Sequence, residues 1–170
     1  MEEHVNFRSV YLRYGLFLGV ALTILDLILL ISENFTSPWT NLSYLFIAVL
    51  IFLGYTIYKK QGDGFLNYSR SLGLGTMITL IGGLISGLVG LMYRLVNTGV
   101  TEKIIEAQKQ VLFEQGFSDT EIDQSMEFTA FLIEPIPSFF VSVAGYAFIG
   151  FIFSLVLGAI AKKNNPKPFE

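Results

Sequence analysis

Four long runs of apolar residues constrain this chain more than any other feature of its sequence. Each run approaches or exceeds the roughly 20 residues that an α-helix needs to cross a bilayer. Charged residues make up only 15% of the 170 residues, whereas about a quarter is usual in a soluble domain. The first run is not followed by a small-x-small cleavage site, so we expect it to remain as a helix rather than be removed as a signal peptide. The sequence therefore predicts an all-α integral membrane bundle of four transmembrane helices, at about 14–31, 39–58, 72–95 and 138–161.

The third run, Leu72 to Tyr93, contains six glycines, and this composition indicates close helix packing. An interior glycine costs a helix in water about 0.5–1 kcal/mol relative to alanine. In lipid, small residues allow the backbone of a second helix to approach closely. The last run carries small residues near one face, so it is the natural partner. We predict packing through Gly75, Thr79, Gly83, Ser86, Gly87 and Gly90 on the third helix and Gly150, Ser154 and Gly158 on the fourth. Helix bending or a narrow pore is the alternative use of these glycines.

Lysine and arginine are divided unequally between the two sides of the membrane. Eight of the eleven fall on the side that carries both termini, and only Arg94, Lys103 and Lys109 fall on the other. Positively charged loops tend to stay in the cytoplasm. We therefore expect cytoplasmic termini, including a cytoplasmic tail at 162–170.

The segment at 97–137 is polar and acidic, and its pattern predicts a helical hairpin outside the membrane. Apolar residues recur at steps of three and four in both halves. Gly116 ends the first helix, and Ser118 with Glu121 forms a capping box that starts the second. The apolar stripes of the hairpin could pack on each other, on the membrane surface or on a partner protein.

Three stretches give the chain a family resemblance. They are Tyr14 to Gly19, Gly64 to Gly73 and Glu106 to Ser118. In these stretches and in the order of its parts, nearly the whole chain resembles a bacterial family of small four-helix membrane proteins, domain of unknown function 4199. The resemblance implies a multi-pass protein of the bacterial cytoplasmic (inner) membrane. It implies no activity, substrate or binding residue.

Asp26 is the only ionisable side chain well inside a predicted span. Burying a carboxylate there costs about 2.5–3.5 kcal/mol on insertion scales, so it is a candidate proton or cation site. The alternative is a carboxyl that reaches water or bonds to a neighbouring helix. Arg94 and Glu134 flank the hairpin and could form an ion pair, or each could anchor the chain at the interface.

Nothing in the sequence predicts a catalytic, metal or cofactor site. The chain has no cysteine and a single histidine, His4, which excludes thiolate chemistry and a histidine-based zinc site or catalytic triad. The acids between Glu114 and Asp123 do not follow the spacing of an EF-hand loop. No phosphate-binding glycine loop is present.

We therefore predict a non-catalytic accessory or structural membrane component that acts through helix packing and its acidic outer hairpin. Its expected partners are the lipid bilayer and a second copy or another membrane protein, with no nucleic acid and no cofactor. The alternative is a small transporter or channel with Asp26 as an intramembrane proton or cation site. Transport predicts a polar, water-accessible cavity at Asp26. A partner-binding role predicts a dry core and an exposed apolar strip on the hairpin.

Overall fold

The computed structural model describes residues 6–35 and 37–163, and in these residues the protein is all-α. Four helices are long and apolar enough to cross a membrane, which confirms the predicted fold class. His4 and the tail from residue 164 lie outside the described residues. The helices are α1 (Phe7–Ile31), α2 (Leu42–Gln61, after a 3₁₀ turn at Pro38–Asn41), α3 (Tyr68–Val96), α4 (Gly99–Glu114), α5 (Asp119–Ile133) and α6 (Pro135–Ala161).

Two of the spanning helices begin several residues before their apolar runs, because side-chain caps set their ends. The Asn6 side chain accepts a hydrogen bond from the Arg8 N–H at 3.0 Å and starts α1. In the same way the Asn67 side chain accepts from the Arg70 N–H at 2.9 Å and starts α3. Hydropathy locates the part of a helix that lies in hydrocarbon, whereas a cap locates the helix end.

The α3 helix lies at the centre of the bundle, with its most extensive contacts to α1 and α6. Gly15 and Gly19 of α1 face Ile81 and Ile85 of α3 so closely that a Cβ at either glycine would come within 3.0 Å of an isoleucine side chain. The buried apolar core lies where α1, α2 and α3 meet, and its members include Leu18, Leu22, Ile47, Ile51, Leu74 and Ile78.

Small residues let α3 and α6 pack tightly in the half of the bundle nearer the chain termini. A Cβ at Gly75 would overlap Ser154, one at Gly150 would overlap Thr79, and one at Gly158 would come within 2.5 Å of the Ser71 Oγ. We call these six residues, at steps of four on each helix, the seam. Five of them are predicted packing residues, and the structure brings those five together.

The other predicted glycines of α3 lie beyond the seam and have larger neighbours. Gly83 faces the Tyr146 ring and Gly87 faces Phe139, so aromatic side chains fill the space opposite them. A Cβ at Gly90 would meet nothing within 4 Å, so the structure does not place this glycine in a helix contact. Here α3 and α6 are held apart by side chains, and a space opens between them.

The end of the bundle at which α1 begins and α6 ends, here called the terminal end, is closed by hydrogen bonds. Leu66, before α3, and Lys163, after α6, form an antiparallel bridge with N–H to oxygen distances of 3.0 and 2.9 Å. The Lys59 Nζ donates to the Ala161 carbonyl at 3.2 Å. The predicted tail therefore begins with two residues that are held against the bundle.

The predicted helical hairpin is present as α4 and α5, at the opposite end of the bundle, the hairpin end. Gly116, with φ of 89°, ends α4. The Glu121 carboxylate accepts hydrogen bonds from the Ser118 N–H at 2.9 Å and from its hydroxyl at 2.6 Å. The predicted capping box is thus confirmed at the start of α5.

Candidate functional site

A cavity of about 250 Å³ lies at the hairpin end between α1, α3 and α6, and it is partly open to the surface. It begins where the seam stops, since Gly87 and Gly90 of α3 leave room there. Its polar lining comes from Asp26, Ser86, Arg94, Ser138, Ser142 and Tyr146, and its apolar lining includes Leu29, Leu30, Phe35, Leu91, Ile104 and Phe139.

Asp26 joins three helices through one carboxylate oxygen. Its Oδ2 accepts a hydrogen bond from the Ser86 hydroxyl of α3 at 2.5 Å and one from the Tyr146 hydroxyl of α6 at 3.3 Å. A hydrogen bond to a neighbouring helix is one of the alternatives that the sequence predicts for Asp26, and the structure shows such bonds to two helices. The other oxygen, Oδ1, forms no hydrogen bond with the described residues. It is not fully buried either. Oδ1 is therefore accessible, and the residue that carries it lines the cavity.

Arg94 lies in the last turn of α3 and also faces the cavity. Its Nη1 donates to the Ile133 carbonyl at 3.3 Å and to the Ser138 hydroxyl at 3.0 Å. The predicted ion pair with Glu134 does not form among the described residues, whose ion pairs are Lys103–Glu33 and Lys109–Asp123. The reason is that Glu134 is exposed at the start of α6, while the free carbonyl at the end of α5 attracts the guanidinium.

The mouth of the cavity is covered in part by α4. Ile104 lines the cavity, and the preceding residue, Lys103, forms an ion pair with Glu33 just after α1. The hydrogen bond that the exposed Lys103 ammonium donates to Glu33 raises the pKa of Lys103. The pair fixes the beginning of the hairpin to the end of the first helix.

Glu33 holds a backbone conformation that favours glycine, with φ of 55°. It follows the α1 C-cap, where the Glu33 N–H bonds to the Leu30 carbonyl at 3.3 Å and the Asn34 N–H to the Leu29 carbonyl at 3.0 Å. This is the Schellman arrangement, in which glycine usually takes the left-handed position. Here the position is occupied by Glu33, whose carboxylate forms the ion pair with Lys103.

The cavity offers hydrogen-bond donors, an open carboxylate oxygen and a guanidinium within mixed apolar walls. Such a lining suits a small ligand with both polar and apolar parts. Among the described residues there is no group of three or more histidines or acids that could hold a metal ion. Toward the terminal end the seam leaves no room for the cavity to continue.

The sequence pointed to Asp26 and Arg94 separately but not to their shared cavity. Tyr146 lines the cavity and was not predicted from the sequence, where it only interrupts the small-residue face of α6. The available signal was its hydroxyl within an apolar run, since a polar group on a lipid-embedded helix needs a partner.

The hairpin also exposes large aromatic side chains that do not line the cavity. On α5, Phe128 and Phe131 are 68% and 59% exposed. They are three residues apart and so lie on one face of the helix. Phe113 and Phe117 are exposed near the turn between α4 and α5.

Residues 13–163 match the model of the family described as "Protein of unknown function (DUF4199)". Because the match covers most of the chain, the protein belongs to this family. No curated protein and no solved structure matches it. The family and the four spanning helices together identify a multi-pass membrane protein of the family.

Proposed function

We propose that this DUF4199 protein is a non-catalytic membrane component that binds a small polar molecule in the cavity at its hairpin end. The observation that carries the proposal is the open Oδ1 of Asp26 in a cavity that also holds Arg94. A carboxylate inside a membrane protein is costly unless it is paired or used. Half of this carboxylate is paired by Ser86 and Tyr146, and the other half is left to a ligand.

Binding fits the geometry better than conduction does. A channel needs a continuous polar path, but toward the terminal end α3 and α6 pack through the seam with no space for an added methyl group. We therefore propose an accessory role in which the ligand enters and leaves on one side. Transport is the second candidate, and it requires that the seam open in another state.

We further propose that the hairpin end faces outward from the bacterial cytoplasmic membrane, with both termini in the cytoplasm. Seven lysines and arginines of the described residues lie at the terminal end and three at the hairpin end. The positive-inside rule favours this orientation. The ligand would then come from the outer side or from the outer leaflet.

A cysteine-accessibility experiment tests the proposed site. The chain has no cysteine, so an introduced thiol is the only one. Gly90→Cys places a thiol in the cavity without overlap, and Leu88→Cys, at a half-exposed position two residues away on α3, serves as the matched control. A charged, membrane-impermeant thiosulfonate added from outside should label the first variant and spare the second, because the reactive thiolate forms only in contact with water.

In phosphatidylcholine vesicles, equal labelling of the two variants, or none of Gly90→Cys, would contradict a water-accessible cavity. Labelling of Gly90→Cys from the cytoplasmic side alone would reverse the proposed orientation. Ser154→Cys, within the seam, separates binding from transport. It should stay unlabelled from both sides if the protein only binds, and should react from the cytoplasmic side if the seam opens.

An accessory role through the hairpin is supported by the exposed pair Phe128 and Phe131. We propose that this face of α5 meets a second membrane protein or a second copy of the chain. A photoreactive phenylalanine analogue at position 128 should then form a protein crosslink in native membranes, whereas one at the terminal-end position 65 should not. Crosslinks to lipid alone from position 128 would contradict this role.

A further inference from the structure

The cavity has an open acceptor on one wall and open donors on another. Oδ1 of Asp26 is the acceptor. Arg94 uses only Nη1 in its two bonds to the protein. A guanidinium has five N–H donors in all, so donors on Nε and Nη2 remain for a ligand. None of these nitrogens is among the buried unpartnered atoms of the described residues.

The two groups lie at different levels of the cavity along the bundle. Ser86, which bonds to Asp26, and Arg94 are eight residues apart, a rise of about 12 Å. On α6, Tyr146, which also bonds to Asp26, and Ser138, which bonds to Arg94, are eight residues apart as well. A ligand that reaches both groups therefore needs a positive group at one end and a negative group at the other, each able to form a charge-assisted hydrogen bond.

We propose that the cavity binds a phosphoethanolamine group, with its ammonium on Asp26 Oδ1 and its phosphate on Arg94. This inference rests on the proposed function and names the ligand class of the same site. The ammonium carries three donors and the phosphate suits the fork of a guanidinium. A two-carbon link separates the charges, and it lies against apolar side chains such as Leu91 and Phe139.

The size of the cavity is consistent with such a ligand and too large for a bare ion. A cavity of about 150 Å³ holds benzene, and this one has a volume of about 250 Å³. The group can come from two sources, the headgroup of a phosphatidylethanolamine lipid or free phosphoethanolamine. The partly open mouth at the hairpin end admits either source.

Protection of Gly90→Cys from labelling tests the ligand class with the full chain, stripped of lipid in detergent. Phosphoethanolamine should slow labelling, while ethanolamine, inorganic phosphate and glycine should need about 10- to 100-fold higher concentrations, since each loses one charge-assisted bond or the right spacing. If ethanolamine or phosphate alone protects equally well, the two-point pairing is overturned.

Two neutral variants locate the two contacts. In the Gly90→Cys background, Asp26→Asn and Arg94→Gln should each weaken protection about 10- to 100-fold. Lys109→Gln, on the hairpin outside the cavity lining, should leave protection unchanged. If either variant fails to fold, the comparison of phosphoethanolamine with ethanolamine, phosphate and glycine on Gly90→Cys still tests the inference, because Asp26 and Arg94 are unchanged there.

Nanodiscs distinguish the two sources. Protection in phosphatidylethanolamine discs but not in phosphatidylcholine discs assigns the site to the lipid headgroup, because a quaternary ammonium cannot donate a hydrogen bond to Asp26. Protection by the free compound assigns it to the soluble form. If Gly90→Cys is labelled but neither source protects it, this inference fails and the proposed function stands. If it is labelled neither in lipid-free detergent nor in phosphatidylcholine discs, both fail.

Discussion

At the scale of single residues, Asp26 decides how three helices meet. Its Oδ2 accepts from Ser86 and from Tyr146, so one oxygen ties α1 to α3 and to α6. Hydrogen bonds between membrane helices average about 0.6 kcal/mol and reach about 1.7 kcal/mol, because the unfolded chain in the membrane also finds partners. The bonds therefore position the carboxylate more than they stabilise the bundle.

A double-mutant cycle measures the bond between α1 and α3. Asp26→Ala and Ser86→Ala, alone and together, should show a coupling of about 0.6–1.7 kcal/mol in the free energy of unfolding in detergent. Asp26→Ala combined with Thr56→Ala should show none, since the Thr56 hydroxyl donates to Phe52 within α2. Zero coupling in the first cycle would mean that this bond does not form in the membrane.

The sequence predicts which polar residues lie in or near the membrane, but not which hydrogen-bond partner a long side chain reaches. Asp26 could be identified from its position in an apolar run. Arg94 could be placed at the bundle end, yet its partner could not, because Glu134 and the Ile133 carbonyl are adjacent in sequence. Only the direction of α5 at its last turn decides between them.

At the scale of helices, the seam determines how closely α3 and α6 approach. The two glycines Gly150 and Gly145 of α6 make a matched pair, because a Cβ at the first would overlap Thr79 and one at the second would meet nothing within 4 Å. Gly150→Ala should lower the free energy of unfolding by about 1–3 kcal/mol through overpacking. Gly145→Ala should leave it unchanged or raise it by up to about 1 kcal/mol.

Thermal unfolding of the two variants in the same detergent checks this prediction. A melting temperature of Gly150→Ala equal to that of Gly145→Ala would show that α3 and α6 do not depend on the seam. The pair on α3, Gly83→Ala and Gly90→Ala, should differ in the same direction, because only the first would bring a Cβ to 2.8 Å from the Tyr146 Cβ.

The start of α5 should depend on pH. The hydrogen bonds from Ser118 lower the pKa of the exposed Glu121 carboxyl below its ordinary value of 4.5. A group whose pKa is lowered by folding stabilises the fold above its unfolded pKa, and this contribution is lost as the pH falls through the folded pKa. Hydrogen-exchange protection of the first α5 turn should therefore decrease below about pH 4.5.

Ser118→Ala is the control for this prediction. It removes the hydroxyl donor to Glu121, so the protection should be lower at neutral pH and change less between neutral and acidic pH. An unchanged pH profile in this variant would show that another group titrates.

At the scale of the whole molecule, sequence predicts the four spans and the hairpin because both depend on local patterns. Long apolar runs, the capping box and Gly116 are each read within a few turns of helix. The cavity depends on which faces meet across the bundle, and α6 is apolar on all sides, so its faces cannot be told apart by hydropathy alone. The small residues predicted which faces of α3 and α6 pack together. They did not show that this close packing ends before Gly90.

The two ends of the bundle differ as a result. The terminal end combines the seam, the Leu66–Lys163 bridge and the bond from Lys59 to the end of α6. The hairpin end combines the cavity, the carboxylate of Asp26 and an exposed ion pair between Lys103 and Glu33. An exposed ion pair contributes only about 0–1 kcal/mol to stability. Adjustment to a ligand is therefore easier at the hairpin end.

The bonds of Asp26 also impose an order on biosynthesis. During translation α1 is made first, but Ser86 follows its carboxylate by 60 residues and Tyr146 follows it by 120 residues. A nascent chain that has released α1 and α2 into lipid still carries an unpartnered acid. The carboxylate therefore gains its second partner only from α6, the last helix to be made.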